Sequence, residues 1–329
     1  MSHPAATTRV RSAPGTVGLI SNPSSGHNRG QFEHICKQIA QHPLIHHRIT
    51  RSSADILNVL EEFAALDLKI LAINGGDGTV SAILGELLEK RPLPALPQIA
   101  LLPGGTANMN AGDIGVRGSL RKAVDRFCQW STTQGAGGDI AKRALMRVVI
   151  EDSAAPRYGM FLGGGAVIHG TEYAHREIHS RGLRDDFSLA LGTLRTVWGV
   201  LRDDPAFNRH ITTTLTLDDG VPATHDSLIL TLSTLHRLAF GMQPFWSDEP
   251  GSIRLTLMEQ GCTRFARTFL SIVRGRPNSN AVPASGYHSH NADRITLQMS
   301  GNLNLDGELL DVDGQIAITA SPELEFLRL

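Results

Sequence analysis

The sequence predicts a two-domain chain: an N-terminal α/β unit built on a doubly wound, mainly parallel sheet, then a β-rich unit. Three observations carry this. Short apolar strands alternate with helical patterns through Phe127, the rhythm of parallel pairing with right-handed crossovers. Two of those strands run into polar glycine turns, Asn74-Gly75-Gly76-Asp77-Gly78-Thr79 and Pro103-Gly104-Gly105-Thr106-Ala107-Asn108. From about Ala144 the helical rhythm gives way to period-2 or continuous apolar runs.

Taken in order, Met1 to Pro14 is polar, rich in small residues and lacks an apolar signal core, so residues 1–14 read as a disordered tail. Val17-Gly18-Leu19-Ile20 is a short strand that ends in the turn Asn22 to Gly26, and Phe32, Ile35 and Ile39 mark one face of the helix after it. A weak strand lies around Arg48 and Ile49. Ser52 or Ser53 can N-cap the next helix, whose apolar face is Ile56, Leu57, Val59, Leu60 and Phe63. Ile70 to Ile73 is a strand, and beyond its glycine turn Val80, Ile83, Leu84 and Leu87 fall at helical spacing. The α/β domain is expected over 15–143 and the β-rich domain over 144–310, with strands near Leu145–Ile150, Tyr158–Leu162, Ile211–Leu217 and Leu228–Leu232. Asp218-Asp219-Gly220 is a hairpin signal between the last two.

Composition narrows the function classes. At 329 residues the chain can build two cores, and 41% hydrophobic with 19% charged residues is ordinary for a globular protein. A net charge of −1 offers no global attraction to nucleic acid or an anionic membrane, so no nucleic-acid partner is expected and any basic patch is local. Cys36, Cys128 and Cys262 are odd in number and lack metal spacing, which suits reduced thiols in a cytoplasmic protein. No apolar run reaches the roughly 20 residues that span a bilayer.

The glycine turns carry the chemistry. Loops without Cβ atoms let backbone N–H groups approach an anion, and a helix starting there adds its free N–H groups and positive dipole end. Phosphate is the fitting anion. A carboxylate at Asp77 would repel phosphate unless Mg²⁺ bridges the two, so the turn points to metal-assisted phosphoryl transfer. Both turns would lie side by side at the carboxyl ends of parallel strands, where open α/β sheets bind ligands.

Four motifs in order, Ser21-Asn22-Pro23-Ser24-Ser25-Gly26, GGDGT at Gly75 to Thr79, PGGTAN at Pro103 to Asn108 and Asp306-Gly307-Glu308, resemble the diacylglycerol kinase catalytic-domain family, which includes bacterial lipid kinases and sphingosine kinases. The resemblance implies an antiparallel β-sandwich as second domain and a last segment, 311–329, that returns to the first. It further implies an ATP- and Mg²⁺-dependent kinase acting on a hydroxyl of diacylglycerol, a sphingoid base or a related lipid, held at the inner membrane surface. Nucleotide contacts would come from Asn22, Thr50, Gly75, Gly76, Asp77, Gly78, Thr79, Val80, Ser81, Gly105, Thr106 and Asn108. Asp77 would serve the metal and Glu308 would accept the alcohol proton. An NAD kinase-like small-molecule kinase and a non-catalytic nucleotide- or lipid-binding regulator stand as alternatives, because NAD kinases and phosphofructokinases also approximate GGDGT.

Three departures from the family pattern bear on this. Met109 stands where relatives carry Asp, leaving Asp113 as a substitute acid. Pro250 interrupts Trp246 to Ile253, where some bacterial members hold a structural Mg²⁺. Phe161-Leu162-Gly163-Gly164-Gly165 replaces an Asn-containing run and alters the acceptor cleft; read as a dinucleotide loop, it lacks the βαβ context. Two basic amphipathic stretches, Phe187–Leu201 and Arg264–Arg276, are read either as membrane-surface helices or as helices packed on the β domain with solvated arginines. His175 and His179 have helical spacing but no evident third metal ligand, and His288 and His290 beside Gly286 read as a mobile loop.

Overall fold

The computed structural model describes residues 16–133, 138–151, 153, 155–168 and 211–329. The chain divides into two compact units, Met1–Arg143 with Glu323–Leu329 and Ala144–Pro322. His175, His179 and the stretch Phe187–Leu201 lie outside the described residues.

The first unit is a six-stranded sheet in the order β2-β1-β3-β4-β15-β5. Its strands are β1 (Thr16–Ser21), β2 (Ile45–Ile49), β3 (Leu68–Gly75), β4 (Gln98–Pro103), β5 (Asp139–Arg143) and β15 (Leu324–Arg328). Neighbours β2, β1, β3, β4 and β15 pair in parallel, and β5 runs antiparallel to β15 at the edge. Central strands buried on both faces need continuous apolar sequence, and Leu71, Ala72 and Ile73 meet that demand at 0% exposure each. Helices α1 (Phe32–Ile39) and α5 (Leu120–Thr132) cover one face, where Ile35, Ile39, Val124 and Phe127 pack on Leu19, Ala72 and Ala100. On the other face lie α2 (Ala54–Ala64) and α3 (Asp77–Lys90), which bury Leu60, Phe63, Ile83 and Leu84. A Cβ at Gly18 would stand 2.7 Å from the Phe63 ring, so glycine there is what lets α2 settle onto the sheet.

β2 gave only a weak sequence signal because it is an edge strand of composition IHHRI with Ile45 alone fully buried. The cap of α2 differs from expectation: neither Ser52 nor Ser53 caps with its side chain, and the Asp55 carboxylate instead accepts the N–H groups of Arg51 and Ser52 at 2.9 and 3.0 Å. Those bonds hold its pKa below the ordinary range.

The second unit is an antiparallel sheet in the order β12-β11-β10-β8-β13-β14-β6-β7, with β9 pairing both β10 and β13. The strands are β6 (Met146–Ile150), β7 (Arg157–Gly159), β8 (Phe161–Gly165), β9 (Ile211–Leu217), β10 (Ala223–Ser233), β11 (Ile253–Glu259), β12 (Tyr287–Ala292), β13 (Arg294–Leu305) and β14 (Glu308–Ala320). Leu255 of β11 and Met146 of β6, from opposite ends of that order, share one core cluster, so the sheet folds over its own interior. Asp218-Asp219-Gly220 sits in the turn between β9 and β10, as its sequence suggests. The return to the first unit starts at Glu323 rather than at 311, because residues 308–320 stay in β14 along the whole length of β13.

Helix α6 (Phe265–Val273) realises the second basic stretch: Ile272 is buried, and Phe265 and Phe269 pack against the cluster of Ile229, Met258 and Tyr287. His288 and His290 are in β12, not in a mobile loop, since Gly286 takes φ +82° to end the preceding turn and the strand begins at once. The Gly163–Gly165 run is the C-terminal part of β8, antiparallel to β10 and β13, so it is no dinucleotide loop. Gly165 has φ +68°, and a Cβ there would collide with the Leu228 carbonyl oxygen. Gly165→Ala is therefore expected to destabilise the second unit by about 1–3 kcal/mol or more, read as a lower denaturant midpoint; an unchanged midpoint would contradict this backbone geometry.

Candidate active site

Strands β1, β3 and β4 are neighbours, and each ends in a polar turn, so three turns emerge at one edge of the first unit's sheet. The second and third touch through their backbones. A Cβ on Gly105 would overlap Gly76 Cα, and one on Gly76 would lie 3.0 Å from Gly105 Cα. Any side chain at either position forces the turns apart.

Hydrogen bonds tie the three together. Asn22 N–H donates to the Asn74 carbonyl (3.0 Å), and its amide Nδ2 donates to Thr79 Oγ1 (2.9 Å). Ser25 Oγ lies 3.4 Å from the same hydroxyl and accepts the Gly76 N–H at 3.3 Å. His27 N–H donates to the Gly104 carbonyl (2.8 Å), and Gly104 N–H to that of Gly75 (3.1 Å). A Cβ on Gly26 would clash with Thr106 Oγ1, so Thr106 is seated against the first turn.

Asp77 is a strut in this assembly. Its carboxylate accepts the N–H groups of Met109 (3.0 Å) and Asn110 (2.9 Å), which begin the short helix α4 (Met109–Ile114). Burial raises its pKa, and these backbone donors oppose that shift. Helix α3 begins at this residue, and no side chain caps it. The N–H groups of a helix's first turn have no backbone acceptor within the helix, and that of Asp77 turns to its own carboxylate.

Other expected site residues divide by role. Asn108 takes φ +47° and clamps its own turn, accepting from Gly105 N–H (2.8 Å) and donating to the Gly105 carbonyl (2.7 Å), while its Nδ2 also lies 3.3 Å from His27 Nδ1 of the first turn. Val80 and Ser81 are buried at 4% and 6%, on the packed side of α3. Gly78 has open space where a Cβ would stand. Thr50 is buried, and its N–H donates to the Ser21 carbonyl (3.0 Å), which places it beside the end of β1. Glu308 belongs to the second unit: Asp306 (φ +48°) and Gly307 (φ +96°) form a two-residue hairpin turn between β13 and β14. The Asp306 carboxylate accepts the N–H groups of Met160 and Phe161, both at 2.9 Å, while Glu308 is exposed and pairs with Arg157 at 3.2 Å.

Asp113 is no stand-in for an acid at position 109. Its side chain is fully buried and ion-paired with buried Arg143 at 2.7 Å. Glu249, in the interrupted segment, accepts from Asn291 N–H (3.0 Å) and Ser247 Oγ (3.0 Å) and lies 3.1 Å from His290 Nδ1.

Three asparagines escaped the sequence reading of roles. Asn28 donates to the Asn22 carbonyl, while its Oδ1, the Asn74 Oδ1 and both amide atoms of Asn110 are buried with no hydrogen-bond partner among the described residues. A Cβ on Gly104 would sit 2.5 Å from Asn74 Oδ1 and 3.0 Å from Asn28 Nδ2, so the two amides meet beside the third turn. The available signal was a polar residue closing the apolar strand of Asn74; Asn28 had none.

An α/β unit with interlocked glycine turns at the ends of adjacent parallel strands, joined to an antiparallel β unit, defines the class of fold. Residues 16–140 match the family described as diacylglycerol kinase catalytic domain, a stretch that holds the first three of the four motifs, with Asp306-Gly307-Glu308 lying beyond it. The chain is 35% identical over 106 residues to "Probable lipid kinase YegS-like" of Enterobacter sp. (strain 638), covering 32% of this chain and 35% of that protein. It is 32% identical over 106 residues to "Probable lipid kinase YegS" of Salmonella arizonae, with the same coverage. The match thus spans about a third of the length of these curated relatives. In fold, the chain is similar to a diacylglycerol kinase from Bacillus anthracis str. Sterne, with TM-score 0.60 and 16% identity over 96% of this chain and 97% of that one. Yeast NADH kinase complexed with NADH aligns at TM-score 0.50 and 10% identity, over 98% and 89% of the two chains. At these identities the two structures speak for the fold alone.

Removing one partner of a buried ion pair leaves the other charge uncompensated. Arg143→Ala is expected to cost about 3–5 kcal/mol on that ground, read by denaturant melts, with much of the loss recovered by Arg143→Met/Asp113→Leu. A second expectation concerns pH. His47, bonded to Ser21 Oγ at 2.9 Å, has its pKa pushed down to about 4, first by burial and then by the adjacent Arg48 charge. The unfolded imidazole takes a proton near pH 6.5 and the folded one does not until about pH 4, so stability falls as pH drops through that window. His47→Asn should flatten the fall; an equally steep pH profile in that variant would assign it to other groups.

Proposed function

We propose that the chain is an ATP- and Mg²⁺-dependent phosphotransferase whose acceptor is a lipid hydroxyl. The observation that carries this reading is the interlocking of three turns around an uncapped α3 N-terminus, since free N–H groups and close backbone approach suit a nucleotide's phosphates. The oxygen donors there, the Asp77 carboxylate and the unpartnered Asn28 and Asn74 amide oxygens, suit a hard cation such as Mg²⁺. Bound there, the cation would neutralise phosphate charge during transfer. The buried carboxylate whose pKa is raised would gain from a positive neighbour. A lipid acceptor rests on the family match and on what the relatives' names state. Among the described residues no helix is long and apolar enough to cross a membrane. Peripheral contact with a membrane surface, partly through exposed Leu270 of α6, belongs to the same proposal.

Glu308 is proposed as the proton acceptor. Among the described residues its carboxylate is held by an exposed pair with Arg157, an interaction of little strength, so it can exchange that partner for a substrate hydroxyl. One observation favours the regulator alternative: both Asp77 oxygens already accept backbone N–H groups.

ADP release, measured with and without diacylglycerol, sphingoid bases and NAD as acceptors, separates these readings. Asp77→Asn should retain nucleotide and lose turnover by ~10²-fold or more, with its melting temperature measured beside it because Asp77 also anchors α4. Glu308→Gln should lower kcat by ~10²–10⁴-fold at unchanged nucleotide affinity and Mg²⁺ requirement. Turnover with NAD alone would select the small-molecule kinase; nucleotide binding without turnover on any acceptor would select the regulator.

A further inference from the structure

The second unit carries a cluster that the phosphotransfer reading does not use. His225 on β10, Glu259 on β11 and His288 on β12 lie on three successive strands at the end of the sheet order. Register explains their meeting. Ser227 stands opposite Glu259, which makes His225 the diagonal neighbour of Glu259 on the same face. Leu257 stands opposite His288, so Glu259, two residues beyond Leu257, is the diagonal neighbour of His288 as well. All three side chains project to one side.

The distances are those of a converging set. Glu259 Oε1 lies 2.8 Å from His225 Nδ1 and 3.1 Å from His288 Nε2, and the three donor atoms are all within 4.8 Å of one another. The imidazole centroids stand 4.7 Å apart, tilted by 60°. The histidine side chains are 15% and 14% exposed and Glu259 34%, which leaves one side of the cluster open to solvent.

A purely structural reading has the carboxylate bridging two imidazoles. It leaves two neighbours unexplained. Ser227, opposite Glu259, and Thr213, opposite His225 on β9, are fully buried, and their hydroxyls have no hydrogen-bond partner among the described residues. Hydroxyls at those positions suit the surroundings of polar ligands, as outer hydrogen-bonding groups do around metal-bound carboxylate and imidazole.

We infer that His225, Glu259 and His288 bind one Zn²⁺ ion, with water in the remaining position. Two imidazoles and one carboxylate are a zinc donor set, with bonds of about 2.0–2.2 Å and ligand atoms a little over 3 Å apart in a tetrahedron. The Glu259–His288 spacing of 3.1 Å is close to this, and the 2.8 Å between Glu259 and His225 would open by a few tenths of an ångström to admit the ion. The ion clips β10, β11 and the edge strand β12 together and closes the exposed end of the sheet.

The test uses the full chain, stripped with chelator and retitrated with Zn²⁺ alone, followed by calorimetry, elemental analysis and thermal melting. One equivalent should bind at micromolar affinity or better and raise the melting temperature. Glu259→Gln, a near-isosteric change, should weaken binding at least tenfold, His288→Gln should do the same, and His290→Gln should leave it intact. Substituted Co²⁺ should show the intense visible absorption of a tetrahedral site. Failure of the parent chain to take up one Zn²⁺, or uptake unaltered in Glu259→Gln and His288→Gln, overturns the site; tight binding of Fe²⁺ without Zn²⁺ overturns the zinc assignment. Because the parent chain's uptake and melting shift need no variant, misfolding of one substitution cannot rescue the idea.

Discussion

The contact on which the first unit depends is that of backbone against backbone at Gly76 and Gly105. Strands β3 and β4 pair in register up to Gly75 and Pro103, and paired strands run about 4.8 Å apart. Two turns leaving such neighbours can stay in contact only if no Cβ stands between them. Once they touch, Asp77 reaches the N–H groups that open α4, and His27 donates to the Gly104 carbonyl from the first turn. Separating the glycines would strain each of these bonds, because they run between turns rather than within one.

Legibility in the sequence followed burial. β3 and α3 were plain, because a strand buried on both faces and a helix buried along Val80, Ile83, Leu84 and Leu87 must spend apolar residues in a fixed rhythm. β2 was nearly silent: an edge strand needs few apolar side chains, and its two histidines and arginine carry no period. The return of the chain at Glu323 was misplaced for a related reason. β14 and β15 are both apolar β segments, and only the pairing of β14 with β13, against β15 with β4, assigns them to different units. His288 and His290 were misread because glycine and polar residues suggest a loop, whereas β12 is an edge strand with a polar face.

At the candidate site, glycine spacing revealed where the turns are but not what each side chain does there. Asn108, expected to contact nucleotide, has a further role in clamping its own turn. Asp113 looked like a spare acid and is neutralised by Arg143, thirty positions away in sequence. Such partners are set by tertiary contact, and nothing in local sequence announces them.

The same logic bears on Met109. Its N–H donates to Asp77, so whatever side chain stands at 109 is attached one bond from a donor that Asp77 depends on. An acid there would place a second negative charge beside a carboxylate that burial already disfavours, pushing its pKa further up. Methionine spares Asp77 that repulsion and withdraws a potential anchor for metal-bound water. The two effects oppose one another: Asp77 ionises more readily beside methionine, while under the proposed phosphotransfer a cation there would find less negative charge to hold it. Under the proposed phosphotransfer, this chain would therefore draw Mg²⁺ in chiefly as a complex with the nucleotide, whose phosphates supply the charge that position 109 does not.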